Sequence, residues 1–447
     1  MSTYSVSIVK YQTPLESVRK AVELAGGLPK LSPAAKVVIK PNIVMWNRHV
    51  PFPKWGVITT TRVIEDMVIL LREKGVQDIT IIEGVVVADP KDKETPRHAF
   101  ETLGYGQLNK KYGVKAVNVF DQPFRKVQVD EELSLNFSEV VLDADFLVNI
   151  PVLKTHTQTV ASMGIKNLKG LIDIPSRKKC HAANLVKNLH YMVSKLADPM
   201  PPMFTITDGI FTNERGPGLG GRAHRKDILI ASNNVLSADL VGANVLGWSP
   251  DDVPHLVHAA KSQGRLTDLS DITVVGEKIE DVACRHEYDF PYLQNEETGA
   301  WLPEPMAKFG MSGLSYRKYD LTMCTYCSPT NGIIIGALVS AFKGKPFDDI
   351  EILTGKAMTP TKGKKKTILV GKCMVKAHKD NPDINEMIPI NGCPAKIENI
   401  KEALAKAGIH PDPAVFEKAH LHAGSFMRYY KDKPEFDETF FQATQEI

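Results

Sequence analysis

Four cysteines in the last third of the chain carry the densest potential for chemistry. Cys324-Thr325-Tyr326-Cys327 sets two thiols on one tight turn, Cys373 follows the strand-like run Thr367 to Val370, and Cys393-Pro394 opens a helical stretch. Four soft ligands, arranged as a pair and two singles, suit either an iron–sulfur cluster or a tetrahedral zinc ion. A thiolate at a helix N-terminus is stabilised by free N–H groups and the helix dipole, which makes it a better ligand. Proline directly after the fourth cysteine matches ferredoxin-type ligation, whereas zinc sites more often come as two Cys-x-x-Cys knuckles. A [4Fe-4S] cluster is therefore the expected cofactor, with structural zinc as the alternative. Cys180 and Cys284 stand outside this set and read as ordinary thiols, with Cys180 beside His181 as a minor nucleophile candidate.

A second group of polar residues follows apolar runs. Val37 to Ile39 leads into Lys40-Pro41-Asn42, Ile79 to Ile82 into Glu83-Gly84, Phe146 to Ile150 into Pro151-Val152-Leu153-Lys154-Thr155-His156, and Met203 to Thr207 into Asp208-Gly209. Ligands of open α/β sheets bind beyond the carboxyl ends of the strands, so these residues can meet in one cleft. Lys154, His156, Lys166, Asn167 and Lys169 add three lysines, a histidine and an amide within 16 positions. Such a set suits a carboxylate or phosphate, with His156 able to move protons near neutral pH. Lys40, Lys154 and Lys169 are expected to grip charge, and Glu83 and Asp208 to orient those groups or bind a cation. Gly216 to Gly221 reads as a turn or an anion nest rather than a dinucleotide fingerprint, because a strand and not a helix follows it. Asp239 falls in the first turn of a predicted helix, where capping is its plain role.

The elements that position these residues are short. The four runs named above, with Ile228 to Ile230 and Ile272 to Val275, are β-branched and read as buried strands. In Thr61 to Lys74 the residues Val63, Ile64, Met67, Val68, Leu70 and Leu71 make one helical face, with Gly75 as a stop. Further helices are expected at Ser237 to Leu246 and Pro254 to Ser262. The fold class predicted is α/β, a doubly wound Rossmann-like sheet over residues 1–290 with the anion cleft. A smaller α/β cysteine-bearing domain over 291–411 and an aromatic-rich tail over 412–447 complete the organisation. The smaller domain is expected to hold a helix near Gly332 to Phe342, strands at Ile350 to Leu353 and Thr367 to Val370, and a helix from Pro394 to Ala407. Lys362 to Lys366 reads as a solvated turn. Phe426, Tyr429, Tyr430, Phe436, Phe440 and Phe441 predict a tail that packs on a partner, such as a second copy in a homodimer, or on its own body.

With 447 residues the chain exceeds the size of one ordinary core. A formal net charge of +3 is too small to imply nucleic acid or an anionic membrane as the main partner, and neither is expected. No apolar run approaches the roughly 20 residues that span a bilayer, and the first ten residues lack a signal-peptide core, so a cytoplasmic location is expected.

Val38-Ile39-Lys40-Pro41-Asn42, Pro151 to His156, Lys166-Asn167-Leu168-Lys169-Gly170, Asp208-Gly209 with Gly216-Pro217, and Ser237-Ala238-Asp239, in that order, resemble the signature of a family known as domain of unknown function three-six-two. The resemblance spans roughly residues 36 to 250. Members occur largely in anaerobes and archaea, and many carry iron–sulfur ligands, so the resemblance implies an iron–sulfur cofactor. Many members bear a compact ferredoxin insert, from which the spread set Cys324, Cys327, Cys373, Cys393 departs. The family name implies no reaction.

The combined expectation is an iron–sulfur oxidoreductase, reductase in type, acting on a small carboxylated metabolite and served by a redox partner protein. Lys154 and His156 are its candidate catalytic residues. The binding set is Lys40, Asn42, Glu83, Lys166, Asn167, Lys169 and Asp208. An electron-transfer or partner-binding subunit, and a non-redox isomerase or transferase with structural zinc, are the alternatives.

Overall fold

The computed structural model describes residues 4–87, 89 and 91–444, and the chain divides into two compact units. The first comprises residues 1–177 and 190–289 together with the stretch from Ala423 onward; the second comprises 178–189 and 290–422.

The first unit is built on one large sheet. Its strands are β1 (Tyr4–Lys10), β2 (Lys36–Lys40), β3 (Asp78–Glu83) and β4 (Lys115–Asn118); then, after a separate hairpin β5 (Phe124–Asp130) and β6 (Leu133–Ser138), β7 (Phe146–Asn149), β8 (Val152–His156), β9 (Val160–Ser162), β10 (Met203–Glu214), β11 (Arg222–Ser232) and β12 (Ile272–Gly276). The order across the sheet is β12-β1-β11-β10-β7-β2-β3-β4, with β8 paired to β10 and β9. From β10 through β7, β2 and β3 to β4 all pairs are parallel, and β11 is the antiparallel strand between β10 and β1. Parallel strands are buried on both faces, which is why Val37 to Ile39 and Phe146 to Val148 are uninterrupted apolar runs. The helix Thr61–Glu73 returns the chain from β2 to β3 and buries Val63, Ile64, Met67, Val68, Leu70 and Leu71.

The chain runs outward from β2 to β3 to β4 and then returns to the other side of β2 as β7. This reversal between β2 and β7 is the topological switch point, the place beyond whose strand ends open α/β sheets put their ligands. Lys40 and Asn149, the last residues of β2 and β7, are paired across it.

Three expectations are corrected in this unit. Pro151 to His156 is not a loop beyond a strand: Val152–His156 is itself strand β8, all of it buried. The expected strands at Met203 and Ile228 are the bases of a long hairpin, β10 and β11, so Gly216 to Gly221 forms its turn. The helix expected from Ser237 starts at Val235, and Asn234 caps it by accepting from the Ser237 N–H.

The second unit holds a hairpin, β13 (Tyr292–Gln294) and β14 (Trp301–Pro303), and a parallel sheet β15 (Leu314–Tyr316), β16 (Ile350–Thr354), β17 (Lys366–Val370), β18 (Glu386–Ile390) in sequential order. Its core gathers Leu314, Ile334, Leu338, Ile352, Ile368, Ile388, Ile400 and Leu404. The helix expected from Pro394 begins at Ile397, with the extended Lys396 as its cap. Cys393-Pro394 therefore stands in the turn before that helix rather than at its first residues. Lys364, Lys365 and Lys366 lie at the turn between β16 and β17 and pair with Asp348 and Asp349.

Candidate functional site

The residues around the switch point form one buried polar network. Lys40 Nζ donates to Glu83 Oε2 at 2.7 Å, to the Pro41 carbonyl at 2.6 Å and to Asn167 Oδ1 at 3.3 Å. Asn42 Nδ2 reaches the same Asn167 oxygen at 3.1 Å, and Asn167 Nδ2 donates to Asn149 Oδ1 at 2.8 Å and to the Lys40 carbonyl. Glu83 also accepts the Ile43 and Gly84 N–H groups. Burial lowers the pKa of Lys40, and the facing Glu83 carboxylate opposes that shift.

Lys154 differs from Lys40 in its partners. Its ammonium donates to Asn42 Oδ1 at 2.5 Å and to the Val57 carbonyl at 2.9 Å, both uncharged acceptors. With only 1% of its surface exposed, burial lowers its pKa to about 7; Glu83 acts against this and Lys40 adds to it. A lysine in that range populates both protonation states near neutral pH, the property required of a general acid or base. His156, two residues on along β8, lies on the same face, is buried, and accepts the Gln158 N–H through Nδ1.

The short helix Gly164–Asn167 and the following turn Leu168–Leu171 close the network. Asp239 receives the Gly164 and Ile165 N–H groups and so caps that helix rather than its own. Burial raises the Asp239 carboxyl to about 7 against those two hydrogen bonds. Gly170 passes so close over the ion pair that a Cβ would overlap Glu83 Oε1 and lie 2.6 Å from Lys40 Cε. Lys166 and Lys169 on these two turns are half-buried.

Asp208 does not join the lysines. It accepts the Thr60 N–H at 2.7 Å, the Thr60 hydroxyl at 2.8 Å and the Ile210 N–H, and so anchors the start of the helix Thr61–Glu73. Its pKa is pushed up to about 6 by burial. The structure thus brings Lys40, Asn42, Glu83, Lys154 and Asn167 together, and gives Asp208 a capping role.

Asn149 and Arg177 belong to this region although their sequence context did not single them out. Asn149 is a polar residue inside an apolar run, a signal open to reading. Arg177 donates to the carbonyls of Ile172, Gly84 and Gly170, tying β3 to the covering turn, and no local pattern announces it. Glu83 is paired with Asn118 at the ends of β3 and β4. Asn118 lines a cleft of about 240 Å³ with Val87, Phe120, Phe124 and Ile174.

In the second unit the cysteines come from three loops that follow the strands of one parallel sheet. Cys327 is the residue before the helix Ser328–Ala341, Cys373 lies in the first turn of Lys372–Ala377, and Cys393 follows β18. The position at a helix start therefore belongs to Cys327 and Cys373 rather than to Cys393. Cys324, hydrogen-bonded to Cys327, raises the Cys327 pKa most; burial comes next, and Cys393 and Cys373 add to the effect. Among the described residues no three His, Cys, Asp or Glu side chains stand as a ready ligand set. Cys373 and Cys393 are exposed, and Cys324 and Cys327 half-buried. The donor chemistry, four thiols from one sheet edge, fits a cluster or a soft metal ion. Cys180 is buried, and the adjoining His181 ring meets the Leu321 carbonyl through Nδ1.

Among the described residues no helix is long and apolar enough to cross a membrane. The thylakoid-associated protein sll1697 of Synechocystis sp. is 27% identical over 264 residues, 56% of this chain and 77% of that protein. The lactate racemase apoprotein of Thermoanaerobacterium thermosaccharolyticum aligns with 95% of this chain and 82% of its own, at 12% identity and a TM-score of 0.34. The family model described as "Domain of unknown function (DUF362)" matches residues 37–244, which carry the whole switch-point network.

Proposed function

We propose that this protein is an iron–sulfur enzyme, a reductase of a small carboxylated metabolite, with a [4Fe-4S] cluster on Cys324, Cys327, Cys373 and Cys393. The observation that carries the reading is the arrival of four thiols, distant in sequence, at the carboxyl edge of one parallel sheet, where three of them act on Cys327. Four cysteine ligands leave no open iron position, so the cluster supplies electrons when bound. In the first unit Lys154 holds or donates a proton through Nζ, with His156 on the same strand face as the second proton carrier. Lys166 and Lys169 attract the anion. Lys40, neutralised by Glu83, fixes Asn167, whose Oδ1 also accepts from Asn42, instead of gripping charge itself.

Iron, sulfide and zinc analysis of protein purified without oxygen, together with its visible spectrum, tests this. About four irons and four sulfides per chain, lost in Cys393→Ser, are expected. One zinc in a colourless protein overturns the cofactor and favours the non-redox isomerase or transferase with structural zinc.

A second reading, an electron-transfer or partner-binding subunit, draws on one observation: Lys40, Asn42, Glu83, Asn167 and Lys154 already satisfy one another. It predicts tight capture of a redox partner protein and no retained metabolite. A small carboxylate released by denaturing the purified protein, identified by mass spectrometry, counts against it.

A further inference from the structure

The aromatic C-terminal stretch packs on the first unit, and its residues Tyr430 to Glu438 lie against the turn that supplies an acceptor to Lys154. Trp55 is the centre of the contact. Its ring lies 5.2 Å from that of Tyr430 and 5.4 Å from that of Phe436, and its Nε1 donates to the Asp437 carbonyl at 3.2 Å. The neighbouring Lys54 pairs with Glu438 at 2.5 Å and lies over the Phe441 ring. Further along, Thr444 is held by both oxygens of Glu65, and Tyr430 accepts the Ala223 N–H. Phe211 stacks on Phe436 and Phe441. Trp55 is 3% exposed, so this is core packing and not a loose tail.

The other side of the same turn faces the polar network. The Lys54 carbonyl accepts the Val57 and Ile58 N–H groups, closing Lys54 to Ile58 into one tight turn, and the Val57 carbonyl accepts Lys154 Nζ. Gly56 has φ of +66°, and a Cβ there would overlap the Thr212 carbonyl, so the turn has little freedom to shift inward. Among the described residues Lys154 has two acceptors, Asn42 and Val57; the C-terminal stretch grips the backbone that supplies one of them.

We infer that Trp55 and Glu438 are positioning residues: through them the C-terminal stretch acts as a strap that fixes the Val57 carbonyl against Lys154 and keeps water away from it. This rests on the reading of Lys154 as the proton-carrying group. Loosening the strap lets the Lys54 to Ile58 turn breathe, hydrates Lys154, and returns its pKa towards that of an exposed lysine.

The test uses the full chain labelled with carbon-13 at lysine Cε, with the Lys154 signal assigned by its absence from Lys154→Arg. Trp55→Phe keeps the ring packing and removes the N–H, and Glu438→Gln removes the ion pair. The double variant is expected to fold, to raise the Lys154 midpoint by about one pH unit, and to speed amide exchange over residues 54–58 about tenfold. A folded double variant with an unchanged midpoint and unchanged exchange overturns the strap. Neither readout uses substrate or cluster. An altered midpoint with activity indifferent to Lys154→Met would keep the strap and remove the proposed catalytic role.

Discussion

Lys40 Nζ and Glu83 Oε2 lie 2.7 Å apart at the ends of β2 and β3, one side chain 0% and the other 3% exposed. A buried pair of this kind contributes little over an apolar alternative, but removing one partner strands the other charge. Lys40→Met or Glu83→Gln alone should cost about 3–5 kcal/mol in urea unfolding. The double variant should cost less than the sum, because it leaves no uncompensated charge. Additive costs would show that the two groups do not depend on each other.

Gly170 gives the covering turn its closeness to that pair. In Gly170→Ala the new methyl must displace the Glu83 carboxylate or the Lys40 stem. A loss of about 1–3 kcal/mol is expected. A melting temperature equal to the parent's would mean that the turn can lift without cost.

Lys154, with its pKa lowered to about 7, sets a pH signature for the proposed reductase. As proton donor it is competent below its pKa, so kcat/KM should be highest below about 7 and fall as pH rises through that value. Lys154→Met should lose about 10²- to 10⁴-fold. An inflection that stays near 7 in Lys154→Met would assign it to another group.

His255 is fully buried, with no hydrogen-bond partner at either ring nitrogen among the described residues, and its ring centroid lies 6.5 Å from that of His190. Burial lowers its pKa well below the usual value, and His190, Lys166 and His258 push the same way; His190 itself is lowered to about 4. The folded state therefore keeps both rings neutral while the unfolded chain takes up protons below about 6.5. Because the unfolded state binds more protons, this contribution is intact above about 6.5 and is lost as pH falls towards 4. His255→Phe should gain stability relative to the parent over that window in parallel unfolding titrations. A difference that stays flat with pH would mean that His255 ionises equally in both states.

Much of the frame was legible from local pattern. The buried runs of β2, β3 and β7, the helix after Thr61 and the helix Pro254–Ser262 follow from side-chain periodicity, which acts over a few residues. Gly75 and Pro254 mark ends of those helices for backbone reasons that need no partner. Where a signal was weak the elements moved: Cys393-Pro394 imitated a helix start, but the turn bridged by Gly392 and Ala395 intervenes.

By itself the sequence determined the strand runs, the switch-point family segment and the supply of four thiols, three lysines and a histidine, because residue type and short-range spacing set propensity and chemistry. Only the tertiary structure decided the partners. Asp208 met Thr60 across 148 positions, Lys154 met Val57 across 97, and Glu65 met Thr444 across 379. Such choices depend on which strand ends and loops the packed sheet brings together. Burial at those places then decided which charge is neutralised, as Lys40 is, and which is left to titrate near neutrality, as Lys154 is.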